Sequence, residues 1–236
     1  MLRGIDISNW QQGLRLKQND NIDFVIAKAT EGTNFIDKYC DGFIQDAIKQ
    51  NKLFGFYHFA RNNQPETEAA FFVRNCKGYF NYGIPVLDIE DFSILNWNDY
   101  ATRFVNTVIN ATGVSPIIYC SASQTHCFSE NVYDKCGLWV AGYPQNYTGF
   151  ISSDMPYNIS PWSVYCIWQF TDKLNYTDAN GKRWQIDGNV APLTREQWLK
   201  YAHAKENDKP ISREGKLTED EIKILTEAVK NAAEKL

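Results

Sequence analysis

The chain has 236 residues, 44% hydrophobic and 22% charged, enough for one large domain or one domain with an appendage. Its net charge of −4 gives no electrostatic ground for a nucleic-acid partner or an anionic membrane surface. No apolar run reaches the ~18 residues of a membrane span, and Met1 leads straight into LRGIDIS, without the basic and apolar regions of a signal peptide.

In chain order, LRGIDIS (2–8), DFVIAKAT (23–30), LFGFYHFA (53–60), PVLDIE (85–90) and SPIIYCS (115–121) read as strands. Helical composition fills 37–50 and 65–79, the latter opened by Pro65 with Glu66 and Glu68 behind it. In 97–112, Trp97, Ala101, Phe104, Val105 and Val108 share one helical face, and Gly113 suits a C-cap. Strands alternating with helices imply parallel β-α-β units.

LWVAGY (138–143), SVYCIWQF (163–170) and WQIDGNV (184–190) continue the strands, but the segments between them lack helical periodicity. The pattern predicts an α/β fold: a TIM-like β/α barrel of eight strands with reduced helices after strand five, (β/α)5(β)3, spanning 1–204. TREQWLKYAHA (194–204) closes it as a helix, with Thr194 and Gln197 as capping box. Residues 205–217 read as a linker and 218–236 as a C-terminal helix, with Ile222, Leu225, Val229, Ala232 and Leu236 forming a short seam. That seam suits docking on the barrel, self-association, or the remnant of a binding module.

The six cysteines show no C-x-x-C pair or zinc-type spacing and read as reduced structural thiols, so neither a metal nor a cofactor is expected. Three histidines and no G-x-S-x-G elbow disfavour a nucleophilic triad. His58 reads as a packed or hydrogen-bonded structural residue.

PVLDIED (85–91) carries the chemistry. Side chains alternate along a strand, so Leu87 and Ile89 face the helices while Asp88 and Glu90 point inward at the C-terminal rim, where barrel enzymes keep their active sites. Alone, this D-x-E reads more often as a solvated strand face than as a site. The first strand, however, turns Gly4, Asp6 and Ser8 inward, and the last ends on Asp187, so Asp6 and Asp187 are expected side by side when the barrel closes. Lys28 is a candidate counter-charge. Crowded carboxyls raise one another's pKa, which suits a general acid beside an ionised neighbour, the apparatus of glycoside hydrolysis.

GIDISNWQ (4–11), FVIAKATEGTNFID (24–37), GFYHFAR (55–61), PVLDIED, LWVAGY, IWQFTD (167–172) and IDGN (186–189) together resemble the family 25 glycoside hydrolases, the Chalaropsis-type lysozymes that include many phage endolysins. The resemblance covers residues 1 to about 204. It implies cleavage of the β-1,4 bond between N-acetylmuramic acid and N-acetylglucosamine in bacterial peptidoglycan, with retention. It makes Glu90 the proton donor and Asp6, Asp88 and Asp187 its catalytic partners. Asp88 either attacks the anomeric carbon or orients the sugar's acetamido group, the second being favoured. By parity and by match to the family, Tyr57, Arg61, Tyr119, Trp139, Tyr143, Trp168 and Gln169 are substrate-binding candidates, with Lys28 among them. The expected setting is the cell wall, reached after release from the cytoplasm or by secretion. The rival readings are a metal-dependent hydrolase built on the acids and a non-catalytic wall-binding barrel.

Overall fold

The structure, a computed structural model, describes residues 1–205, 210 and 212–234. Eight strands close a barrel: β1 (Leu2–Ile7), β2 (Phe24–Glu31), β4 (Leu53–Phe59), β5 (Ile84–Asp88), β6 (Ile117–Ser121), β7 (Leu138–Ala141), β8 (Ile167–Thr177) and β9 (Arg183–Ala191). The short β3 (Phe35–Ile36) only hairpins onto β2, and pairing of β1 with both β2 and β9 closes the ring. β1, β2 and β4 through β8 run parallel round the barrel. β9 runs antiparallel to both neighbours, because a five-residue turn after β8 reverses the chain where a parallel strand would need a long crossover. Asp187 therefore lies within a strand that descends from the rim, not at a strand's end as the sequence suggested.

The helical cover is concentrated on one side: α1 (Cys40–Lys49), α2 (Pro65–Cys76) and α3 (Trp97–Thr112), followed by the single turn α4 (Glu130–Tyr133). Asn96 caps α3 by accepting from the Asp99 amide, and Gly113 ends it at φ 74°, a left-handed conformation that glycine adopts freely. Between β1 and β2 runs a 3-10 turn and an irregular segment, and the extended β8–β9 hairpin lies against it. Tyr176 donates to Asp20 and accepts from the Lys17 amide, while the Ala179 amide donates to the Arg15 carbonyl. The hairpin thus covers barrel wall that a helix would otherwise shield.

Alternation sorts the side chains into two layers. Ile5, Ile7, Val25, Ala27, Leu87 and Ile89 pack outward under the helices and loops. Phe24, Ile26, Leu53, Ile84, Val86 and Ile117 fill the lower interior. Gly4 faces Phe24 so closely that a Cβ would stand 2.2 Å from its ring. From below, α5 (Arg195–Ala202), capped by Thr194 and Gln197, inserts Trp198, whose ring lies 4.6 Å from that of Phe24 and whose indole donates to the Phe54 carbonyl.

α6 (Glu219–Ala233) starts on a Thr218–Glu221 capping box and packs on α2 and α3, with Leu225 fully buried and Lys77 paired with Glu221. Ile222, assigned to the seam, is 48% exposed, since the docked face comprises Leu225, Val229 and Ala232 together with Ile224. Docking uses the apolar face that self-association would need. Leu236, and residues 206–209 and 211 of the expected linker, lie outside the described residues. The rest of that segment is strapped down: the Arg213 amide donates to Asp41, its guanidinium donates to the Asp37 carbonyl, and its carbonyl accepts from the Gly78 amide.

Candidate active site

Above the apolar interior the barrel opens into a cleft of about 370 Å³ at the C-terminal ends of the parallel strands. It is lined by acids from three strands and their ends: Asp6, Asp88, Glu90 and Asp187. Asp6 and Asp187 are direct partners across the β1–β9 ladder and hydrogen-bond each other. Asp6 Oδ2 also accepts from Gln169 Nε2 at 2.9 Å and Asn189 Nδ2 at 2.7 Å. Burial raises the pKa of both carboxyls, and the Asp6 charge pushes Asp187 higher still. One proton shared between them, held on Asp187, leaves Asp6 as an amide-solvated anion.

Asp88 ends β5, and its buried Oδ1 has no hydrogen-bond partner among the described residues. Burial and then the Glu90 charge raise its pKa well above the usual carboxylate range, with Lys28 opposing. Glu90 lies two residues beyond the strand and is reached by solvent through the cleft, but protein walls surround its carboxyl. Desolvation and then Asp6 raise its pKa, against Lys28 and Arg61. A raised carboxyl open to the cleft is the form a proton donor needs.

The other wall is cationic and aromatic. Lys28 lies 4.7 Å from the Phe59 ring centroid and pairs with Glu31 at 2.5 Å. Arg61 pairs with Glu31 and Asp91, so Glu31 links the two cations in a row beside Glu90. Beneath, Glu68 accepts from His58 Nε2 at 2.8 Å, from the Arg61 amide and from Asn63, while His58 Nδ1 bonds the Thr30 hydroxyl. His58 and Glu68 are fully buried, so they fix the loop that carries Arg61.

Of the sequence candidates, Asp6, Lys28, Tyr57, Asp88, Glu90, Tyr119, Trp139, Tyr143, Gln169 and Asp187 line the cleft together. Arg61 stands on the rim outside that lining, two residues past the end of β4. Trp168 does not reach the cleft. It is fully buried in the outer layer, its indole donating to the Gly142 carbonyl. Adjacent strand residues face opposite ways, so Gln169 pointing inward forces Trp168 outward. Gln169 itself is buried and bonded to protein groups, and the Trp139 indole is committed to Asn189.

The sequence reading missed Asn189, although it stands two residues from Asp187 and so shares its face; the same parity applied once more reaches it. It also missed Trp10, 84% exposed at the cleft edge, which sits in a 3-10 turn after β1 where no periodicity operates. The turn is held by a Ser8–Gln11 capping box and by Asp37 accepting from the Asn9 amide at 2.7 Å.

A β/α barrel whose aromatic cleft clusters carboxyls of raised pKa has the parts that a carbohydrate hydrolase needs. The family model for glycosyl hydrolases family 25 matches residues 5–179, and the chain belongs to that family. It is a glycoside hydrolase. Among curated relatives, Lysozyme M1 of Streptomyces globisporus is 26% identical, the match covering 81% of this chain and 70% of that protein. YegX of Escherichia coli K12, an uncharacterized protein, is 29% identical over 83% of this chain and 71% of its own length. A family GH25 lysozyme from Aspergillus fumigatus superposes with a TM-score of 0.64 at 30% identity, covering 85% of this chain and 98% of that one. The Streptomyces coelicolor lysozyme gives 0.68 at 22% identity, covering 86% and 97%, a likeness of fold alone.

Proposed function

We propose that the chain is an N-acetylmuramidase that cleaves the β-1,4 bond between N-acetylmuramic acid and N-acetylglucosamine in bacterial peptidoglycan, with Glu90 as general acid and base. The observation that carries this reading is the pairing of Glu90, open to the cleft with its pKa raised by desolvation, with Asp88, whose buried Oδ1 has no partner among the described residues. Family membership and the lysozymes among the relatives support the substrate.

Glu90 protonates the glycosidic oxygen as the bond to the anomeric carbon breaks. The acetamido carbonyl oxygen of the same sugar closes on that carbon, while Asp88 Oδ1 accepts the amide N–H and aims it. Glu90, now a carboxylate, takes a proton from the water that opens the cyclic intermediate, so configuration is retained over two displacements. Asp6 and Asp187 supply a wall of fixed charge opposite. No helix of the described residues is long and apolar enough to cross a membrane, and the proposed place of action is the cell wall.

The protein is expected to clear suspended cell walls equally well with and without a chelator, and Glu90→Gln to abolish clearing with the melting temperature retained. Clearing by Glu90→Gln at the wild-type rate would remove Glu90 from its role. Loss of activity on chelation would favour a metal-dependent hydrolase.

A further inference from the structure

The hydrogen bonds beneath the cleft have a direction, and one residue sets it. The Trp139 indole can only donate, and it donates to Asn189 Oδ1 at 2.8 Å. The amide of Asn189 is thereby oriented, and its Nδ2 faces Asp6 Oδ2 at 2.7 Å. That Asp6 oxygen must accept, so the second amide on it, Gln169, also presents nitrogen, at 2.9 Å. Gln169 Oε1 then faces the Tyr119 hydroxyl at 2.8 Å and the Tyr143 hydroxyl at 2.7 Å, and both must donate to it. Each hydroxyl has a single proton, so neither keeps one for the cleft.

Tyr57 differs. Its ring packs 6.5 Å from that of Trp139 and it lines the same cleft, yet its hydroxyl has no hydrogen-bond partner among the described residues. We propose that Trp139 and Asn189 are positioning residues that polarise the cleft, so that Tyr143 can only accept a hydrogen bond from the bound sugar and Tyr57 is the tyrosine that donates one. The wall at Tyr143 then selects a hydroxyl or N–H of the sugar, and Tyr57 selects an oxygen, the acetamido carbonyl being the acceptor the proposed mechanism brings closest to the acids. This rests on the muramidase reading.

The test is the pH profile of Gln169→Glu, with Tyr143→Phe and Tyr57→Phe beside it, as reducing ends released from purified peptidoglycan between pH 4 and 9. Glutamate at 169 copies the amide only while protonated, when it can still donate to Asp6; ionised, it sets a second anion against it. Asp187, Asp88, Glu90, Lys28 and Asp172 act electrostatically on the same cluster and shape the wild-type profile, so the variant is read as a ratio to wild type. That ratio is expected to fall at least tenfold from pH 5 to pH 9. Tyr143→Phe is expected to raise KM severalfold with kcat within twofold, and Tyr57→Phe to lower kcat tenfold or more.

A flat or rising ratio for Gln169→Glu would mean that the amide oxygen faces Asp6, and would overturn the relay. So would a variant that melts like wild type but is inactive at every pH, or a Tyr57→Phe of wild-type kcat. A wild-type protein inactive on peptidoglycan would instead overturn the muramidase reading, and the sugar contacts with it.

Discussion

The same strands build both ends of the barrel, with opposite results. At the floor their inward positions are Phe24, Leu53, Ile84 and Ile117, sealed by Trp198. At the mouth, a few residues further along, they are Asp6, Lys28, Tyr57, Asp88, Tyr119 and Gln169. The floor is stabilised by removing apolar area from water, at about 25 cal/mol per Å². The mouth gains little from burial, because its carboxyls are held in their disfavoured surroundings by amides, a shared proton and one another. Stability and chemistry are thus separated by only two to four residues along β2, β4, β5 and β6, and each end is expected to be perturbed without the other.

The largest effect belongs to Glu90→Gln. Removing the proposed proton donor should slow wall hydrolysis by roughly 10²- to 10⁴-fold, measured as released reducing ends, with an unchanged melting curve. At the floor, Trp198→Ala should cost about 3–5 kcal/mol of unfolding free energy in urea titration, leaving kcat per folded molecule near wild type. If the mouth lost its activity in proportion, the two ends would not be independent. Leu225→Ala, which strips the docked α6 of its one fully buried large side chain, should cost about 2–3 kcal/mol and leave the mass by light scattering unchanged from wild type.

Asp187→Asn should be the smallest and the most informative about the mouth. Burial and the Asp6 charge raise the pKa of Asp187, so the folded chain holds a proton there that the unfolded chain releases at about pH 4. This contribution to stability is complete below the unfolded value and is lost as pH rises through the folded one. Asparagine stays neutral and can still donate to Asp6. The variant should therefore gain about 1 kcal/mol at pH 8 and nothing at pH 4, read from paired thermal melts, while losing activity.

Much of this division was legible in the sequence. Period-two alternation in RGIDIS and PVLDIED assigns Asp6, Asp88 and Glu90 to the interior and Ile5, Leu87 and Ile89 to the outer layer, since parity is a local property of the chain. Capping boxes at Thr194 and Thr218 are equally local. What failed depended on longer relations. Trp168 and Gln169 were both placed on the cleft although neighbours in a strand cannot be. The reversed direction of β9 follows from a short turn that sequence alone reads as one more loop. Trp10 faces the cleft from a 3-10 turn, and Ile222 gives way to Ile224 because docking on α2 and α3, not a heptad, sets which face of α6 is buried.

The acids at the mouth are proposed to cut one particular sugar linkage with Glu90 as donor. Mass spectrometry of borohydride-reduced fragments from digested cell walls reads which linkage is cut. Wild-type protein is expected to leave fragments whose reduced end is muramic acid, and Glu90→Gln none above background. Fragments reduced at glucosamine, or equal release by the Glu90→Gln protein, would contradict it.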